Sequence, residues 1–146
     1  MRGPTLISLG YEGRSVTELL AVLFEQSVSV LVDVRLTPLS RKPGMSKRKL
    51  SAMLSEIGIG YLHLPELGNP KDNRDLFRMG DPRSRSRFRA RLQGCVAVQA
   101  LHQISELLDD GAVAVLCFER DHDCCHRHLV AEAVREVKPS VELVAI

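Results

Sequence analysis

The chain has 146 residues, of which 45% are hydrophobic and 26% charged, and its 20 Lys or Arg against 18 Asp or Glu give a formal net charge of +2. This length predicts a single domain over residues 1–146 that can bury a core without disulfides, so we expect four reduced cysteines and a cytoplasmic protein. The small net charge and the absence of Trp exclude the strongly basic, aromatic-rich surfaces typical of many nucleic-acid-binding domains. The longest apolar run, 112–118, is far shorter than the roughly 20 residues of a membrane span, so we expect no membrane association.

Short apolar runs rich in β-branched residues alternate with amphipathic stretches along the chain. The predicted strands are 5–9, 30–34, 59–64, 112–118 and 141–146. The predicted helices are 16–26, 47–57, 83–110 with a break near Gly94, and 124–137. Ser15 and Glu18 form a capping box at the first helix, whereas the polar stretch 65–82 predicts a long loop with one helical turn. This alternation predicts an α/β fold in three layers, with a mainly parallel five-stranded sheet flanked by helices in a Rossmann-like topology.

Ligands of parallel sheets bind beyond the carboxyl ends of the strands. That rule selects the segments 10–15, 33–41, 63–68 and 117–127. The first of these contains only a G-x-x-G pattern, and Glu12 within it would repel a pyrophosphate, so the dinucleotide fingerprint is absent.

The segment 117–127 is the richest in reactive side chains, with three Cys, two His, three carboxylates and two Arg in eleven residues. One interpretation is a cysteine nucleophile whose pKa is lowered by a helix N-terminus and Arg127, although the nearby carboxylates oppose this. A second interpretation is a zinc site, because Cys124 and His128 are four residues apart and would share a helix face. No other ligand pair in the sequence completes such a site, so we expect no metal and no cofactor. A third interpretation is that these side chains are buried and hydrogen-bonded without a chemical role.

Charge is unevenly distributed along the chain. Residues 35–91 hold fourteen Lys or Arg and five acids, a net charge of +9, and the remainder carries −7. Within this basic block, residues 47–49 begin a helix where cations oppose the helix dipole, and arginines 83, 87 and 91 would line one helical stripe. The block is either a solvated surface or a contact for a polyanion. Asp33 and Arg35 alternate at the end of a strand, which indicates either an ion pair or an arginine aimed at an anion.

Six motifs in order along the chain resemble the domain-of-unknown-function 488 family. They read Ser8-Leu-Gly-Tyr-Glu-Gly-Arg-Ser15, Asp33-Val-Arg35, Pro38-Leu-Ser-Arg-Lys-Pro-Gly44, Tyr61-Leu-His-Leu-Pro-Glu-Leu-Gly68, Cys117-Phe-Glu119 and Cys125-His-Arg127. The resemblance implies a small α/β domain with a parallel sheet and motifs gathered at one end, and it implies no particular activity. It selects as site positions Tyr11, Asp33, Arg35, Ser40, Arg41, Glu66, Gly68, Cys117, Glu119, Cys125, His126 and Arg127.

The first functional hypothesis is an enzyme that acts on an anionic substrate, such as a nucleotide, a nucleic-acid end or another phosphate-bearing molecule. In this hypothesis Glu119 or His126 is the acid–base group and Cys125 the nucleophile. The expected ligand-binding residues are Tyr11, Asp33, Arg35, Ser40, Arg41, Glu66 and Arg127. The alternative is a non-catalytic nucleic-acid-binding or regulatory module that uses the basic surface of residues 35–91, and a structural zinc site is a third interpretation. The expected partner is therefore an anionic small molecule or a nucleic acid.

Overall fold

A computed structural model describes residues 3–146 of the protein. Within these residues the strands are β1 (Thr5–Gly10), β2 (Val28–Asp33), β3 (Gly60–His63), β4 (Ala112–Cys117) and β5 (Glu142–Ala145). The α-helices are α1 (Val16–Glu25), α2 (Lys47–Glu56), α3 (Arg74–Arg78), α4 (Pro82–Leu92), α5 (Cys95–Leu107) and α6 (Arg127–Val137). Single 3-10 turns lie at Pro65–Leu67, Lys71–Asn73 and His122–Cys124. Across residues 3–146, no helix combines the length and apolar character needed to cross a membrane.

The strands form one parallel sheet in the order β3-β2-β4-β1-β5. Gly10 at the end of β1 lies opposite Cys117 at the end of β4, and Asp33 at the end of β2 lies opposite Leu116 and His63. The carboxyl ends of four strands therefore reach the same edge of the sheet. The predicted parallel α/β fold is confirmed.

Side chains that alternate along the strands divide the core into two parts, because successive residues of a strand face opposite sides of the sheet. Ile7, Leu31 and Leu116 pack with buried residues of α1 and α2 on one face. Leu6 and Val115 pack with buried residues of α3, α4, α5 and α6 on the other. The sheet thus lies between two helix layers, as predicted.

The helix that follows β4 packs on the opposite face of the sheet from the helices that follow its two neighbours, β1 and β2. The chain passes from β1 and β2 into α1 and α2 on one face, whereas it passes from β4 into α6 on the other. Because β4 lies between β2 and β1, the loops on its two sides diverge and leave a crevice beyond its carboxyl end. This is where parallel sheets bind ligands.

Several element boundaries follow the sequence patterns closely. The capping box at α1 is confirmed, since the Ser15 side chain accepts a hydrogen bond from the Glu18 amide and the Glu18 carboxylate accepts one from the Ser15 amide. The helical region 83–110 is broken at Gly94, which separates α4 from α5. Ser46 occupies the N-cap position of α2 but caps no helical amide, because its hydroxyl is bound to the backbone of Ser40 instead.

Most strands and helices start or end within about three residues of the predicted ranges, and two regions differ more clearly. The last helix begins at Arg127 rather than at residue 124, because the Asp121 carboxylate accepts a hydrogen bond from the Asp123 amide and closes a separate turn over His122–Cys124. The predicted loop 65–82 contains two 3-10 turns and the helix α3, which is anchored by the buried ring of Phe77.

Candidate functional site

A cleft of about 210 Å³ occupies the crevice beyond β4. Its lining comes from the loops that follow β1, β2 and β4 and from α3 with the segment before it, and includes Tyr11, Arg35, Arg74, Arg78, Cys117, Glu119 and His126. A larger depression of about 740 Å³ lies among the loops around Thr5, Ser27 and Gly111, and its lining contains no Cys or His. The cleft is therefore the candidate site, because of its chemistry and not its size.

Close backbone packing positions the loop after β4. Beyond the paired strands, the Tyr11 amide donates to the Cys117 carbonyl at 3.2 Å and the Glu12 amide donates to the Phe118 carbonyl at 2.9 Å. A Cβ on Gly10 would lie 1.9 Å from the Glu119 carbonyl oxygen, so only glycine allows this approach. The Glu119 side chain is thereby held at the cleft.

Three buried side chains form what we call the thiol–imidazole cluster: Cys117, Cys125 and His126. The His126 Nδ1 atom lies 3.7 Å from the Cys117 Sγ atom and 3.5 Å from the Cys125 Sγ atom. The His126 Nε2 atom lies 2.9 Å from the Val34 carbonyl oxygen, and since a carbonyl only accepts, Nε2 must carry a proton. The edge of the Phe88 ring packs against the imidazole. The imidazole is therefore fixed with Nδ1 facing both sulfur atoms.

The three groups of the cluster shift one another's pKa values. The hydrogen bond to Cys125 and burial raise the pKa of the Cys117 thiol well above its usual value. Burial alone would raise the pKa of Cys125, but the hydrogen bond from Cys117 and the charge of His126 lower it well below its usual value. Burial opposes protonation of His126, yet the adjacent Cys125 thiolate raises its pKa. These shifts favour the thiolate form at Cys125 over Cys117 and favour the charged form of His126.

Glu119 connects the cluster to α3. Its Oε2 atom lies 3.6 Å from the Cys117 Sγ atom, and its Oε1 atom accepts a hydrogen bond from Arg78 at 3.0 Å. This hydrogen bond is the main cause of a raised pKa at Arg78. Arg74, one helical turn earlier, donates through Nε to the Asn69 carbonyl, which is the one hydrogen bond of its side chain to residues 3–146. We call the side of the cleft formed by Arg74 and Arg78 the arginine wall.

Asp33 and Arg35 form a buried ion pair beneath the cleft. The Arg35 guanidinium donates to both carboxylate oxygens of Asp33, at 2.9 and 2.7 Å, and to the Met45 carbonyl. The Tyr61 hydroxyl also donates to Asp33, and burial together with this bond raises the pKa of Tyr61. The Arg35 guanidinium lies over the ring of Tyr11 at 5.3 Å. Of the two interpretations of Arg35, the geometry favours the ion pair.

A family model described as Domain of unknown function DUF488 matches residues 15–134, about four-fifths of the chain. The chain belongs to the DUF488 family. The resemblance seen in the sequence motifs is confirmed, and the matched range includes the thiol–imidazole cluster, Glu119 and the arginine wall. No curated protein and no solved structure matches the chain.

The remaining expected binding residues of this DUF488 chain do not line the cleft. The Ser40 hydroxyl accepts from the Lys42 amide, Arg41 is exposed, and Glu66 is half-buried in a 3-10 turn. Arg127 is fully buried and donates to the Glu119 carbonyl, while its Nε and Nη1 atoms have no partner among the described residues.

Cys124 and His128, the two ligands of the zinc interpretation based on sequence, are not brought together by the fold. The Cys124 thiol lies 3.5 Å from the Asp121 carboxylate, whereas the His128 Nδ1 atom lies 3.2 Å from Arg85. Both residues are engaged with other side chains, because Cys124 precedes α6 instead of lying on it.

The arginine wall of this DUF488 site is not predicted by the sequence patterns. Arg74 and Arg78 lie in the stretch assigned to a loop, and neither was a candidate. Their separation of four residues is the signal that they share one face of a short helix.

Proposed function

We propose that the protein is an enzyme that binds a small phosphate-bearing molecule in the cleft, with Glu119 as its acid–base group. The observation that supports this proposal is the meeting of reactive and cationic side chains: Cys117, Glu119 and His126 line the same small cavity as Arg74 and Arg78. Convergent reactive groups in a concave site are typical of active sites.

The charges around the cavity favour an anion. Asp33 pairs with Arg35 and Glu119 pairs with Arg78, so Arg74 is the one arginine of the lining without a carboxylate partner among residues 3–146. Arg74 keeps its two terminal nitrogens for a ligand, and guanidinium groups pair with phosphate oxygens in a bidentate geometry. At about 210 Å³ the cavity is below the roughly 300–1,000 Å³ of drug-sized pockets, which favours a ligand no larger than a mononucleotide.

Glu119 is the best placed of the three catalytic candidates. Its carboxylate lies in the cleft between Arg78 and the thiol–imidazole cluster. The Cys125 side chain is 1% exposed and lies behind the lining, and the His126 Nε2 proton is held by the Val34 carbonyl. We therefore assign proton transfer to Glu119 and assign Cys125 and His126 to the support of the cleft floor, not to a nucleophile and a base.

The proposal is tested with a panel of nucleoside monophosphates, sugar phosphates and inorganic pyrophosphate. Binding is measured by isothermal titration calorimetry, and consumption is followed by mass spectrometry. We expect at least one compound to be bound and consumed, with a rate at least about 100-fold lower for Glu119→Gln, the minimum for loss of general acid–base catalysis. Arg74→Gln should bind that compound at least about tenfold more weakly, which corresponds to one charge-assisted hydrogen bond.

Arg83→Gln is the matched control, because Arg83 is an exposed arginine on α4 outside the cleft lining. Its affinity should equal that of the wild type. The proposal is rejected if the wild type binds no member of the panel, or if Arg74→Gln and Arg83→Gln bind equally well.

A further inference from the structure

We infer that the thiol–imidazole cluster is a zinc site with three protein ligands and a fourth position that opens on the cleft. The donor atoms of Cys117, Cys125 and His126 all lie within 4.8 Å of one another, and the three side chains are buried. This cluster joins the end of β4 to the residues just before α6, so the fold itself brings the ligands together.

The distances between donor atoms suit a tetrahedral ion. Zn–S bonds of about 2.3 Å and Zn–N bonds of about 2.0–2.1 Å, at a tetrahedral angle, place sulfur and nitrogen about 3.6 Å apart. The observed distances from His126 Nδ1 to the two Sγ atoms are 3.7 and 3.5 Å. Two of the three donor separations therefore match a tetrahedral ion, and the third, between the two Sγ atoms, is no more than 4.8 Å.

The surroundings of His126 are those of a metal ligand. Metal-bound imidazoles generally donate their other ring N–H to a carboxylate, a carbonyl or water, which fixes the ring orientation. Here Nε2 donates to the Val34 carbonyl at 2.9 Å, and Phe88 packs edge-on against the ring. Nδ1 therefore faces both sulfur atoms at the centre of the cluster, where an ion would require both thiols in their thiolate form.

The ligand set identifies the metal and the open position. Two thiolates and one imidazole suit Zn²⁺, and sites with three protein ligands keep a fourth position for water or substrate. Glu119 Oε2 lies 3.6 Å from Cys117 Sγ but is outside the group of mutually close donors. Glu119 therefore stands beside the fourth position, and Cys117 and His126 line the cleft through which an ion enters.

The role of the open position rests on the proposed function, whereas zinc binding itself does not. If the cleft holds a phosphate-bearing substrate, the ion lies beneath it with Glu119 in reach of a bound water. If the cleft binds no substrate at all, the same three residues would form a purely structural zinc site.

The test is a zinc titration of chelator-treated protein in the presence of a competing chromogenic chelator. We expect one Zn²⁺ per chain. Cys117→Ser and Cys125→Ser should each weaken binding by more than about 100-fold, because loss of an outer-sphere partner alone costs about 10–100-fold. Cys124→Ser and Cys95→Ser are the matched controls, since both cysteines lie outside the cluster, and their zinc affinity should be unchanged.

Substitution with Co²⁺ keeps the inference testable even if the cysteine variants fail to fold. The absorption and X-ray absorption spectra of the cobalt-loaded wild type should show tetrahedral coordination with two sulfur ligands and one imidazole. The inference is overturned if the wild type binds no zinc, if Cys124→Ser loses zinc as strongly as Cys117→Ser, or if the spectra show no thiolate ligand.

The two proposals fail separately. Zinc bound at the cluster without binding of any phosphate compound rejects the proposed function and leaves a structural metal site. Binding and turnover of a phosphate compound by a protein that takes up no zinc in the titration supports the proposed function and overturns the zinc inference.

Discussion

Asp33 organises the carboxyl end of β2 through four hydrogen bonds. Its buried carboxylate accepts from the Arg35 amide, from Nε and Nη2 of the Arg35 guanidinium, and from the Tyr61 hydroxyl. The Arg35 guanidinium in turn binds the Met45 carbonyl, so one carboxylate holds three segments of the chain together. The consequence is a rigid base beneath the cleft.

We expect Asp33→Asn to reduce the free energy of unfolding by about 3–5 kcal/mol, because it leaves the buried Arg35 charge without its counter-ion. Urea denaturation monitored by circular dichroism measures the change. Asp72→Asn is the control, since Asp72 pairs with Arg87 at the surface, where ion pairs contribute about 0–1 kcal/mol. Equal losses in the two variants would contradict a structural role for Asp33.

At the scale of residues, the sequence predicted the ion pair only as one of two alternatives. The alternation of Asp33 and Arg35 placed both side chains on one face of a strand. The structure favours pairing because the Met45 carbonyl binds Arg35 and the Tyr61 hydroxyl binds Asp33. These partners are 10 and 28 residues apart in sequence, so no local pattern predicts them. The same limit applied to Cys117, because its proximity to His126 is a product of tertiary structure.

At the scale of elements, the segment 65–78 forms one side of the cleft and carries the arginine wall. Gly68 lies against the loop after β2, where a Cβ would be 2.6 Å from the amide nitrogen and Cα of Leu36. The buried side chains of Leu67 and Phe77 anchor the segment on either side of Arg74. The arginine wall is therefore positioned by a close backbone contact and two apolar anchors.

We expect Gly68→Ala to weaken binding of the phosphate compound by at least about tenfold, because the added methyl group pushes the segment and Arg74 away from the cleft. The same overpacking should cost about 1–3 kcal/mol of stability. Isothermal titration and urea denaturation measure the two effects. Gly60→Ala is the control, since a Cβ there meets the Val30 side chain at 3.4 Å, and unaltered affinity in both variants would rule out this positioning role.

The helices with marked periodicity were predicted well, and the short elements were not. Ser15 and Glu18 mark the start of α1 by local hydrogen bonds, which a sequence pattern can reveal. The five residues of α3 are too few for a periodic pattern, and their conformation depends on burial of Phe77 under α4. The start of α6 likewise depends on a turn closed by the Asp121 carboxylate.

At the scale of the whole molecule, the basic block of residues 35–91 is divided between two helix layers. Lys47, Arg48 and Lys49 lie on α2 on one side of the sheet, whereas the arginines of α4 lie on the other. Arg87 is paired with Asp72, and Arg91 donates to the Pro65 carbonyl. The net charge of this block can be counted from the sequence, but its separation onto two faces of the sheet is evident only from the sheet topology.

We expect the triple variant Lys47→Gln, Arg48→Gln, Lys49→Gln to bind the phosphate compound with unchanged affinity, because none of these residues lines the cleft. Its stability should rise, since each cation in the first turn of a helix opposes the dipole by about 0.3–1 kcal/mol. Calorimetric titration and urea denaturation give both values. A large loss of affinity would instead favour the alternative of a basic binding surface.

The arginine wall and the floor of the cleft are contributed by different stretches of the chain, 65–78 and 117–126. Their direct link among the polar groups is the hydrogen bond between Arg78 and Glu119. Exchange of residues in the first stretch should therefore alter which ligand is accepted while the reactive groups stay in place. Under the proposed function, ligand preference and reactivity would therefore belong to separate stretches of the chain, and α3 would be the place to redesign ligand preference.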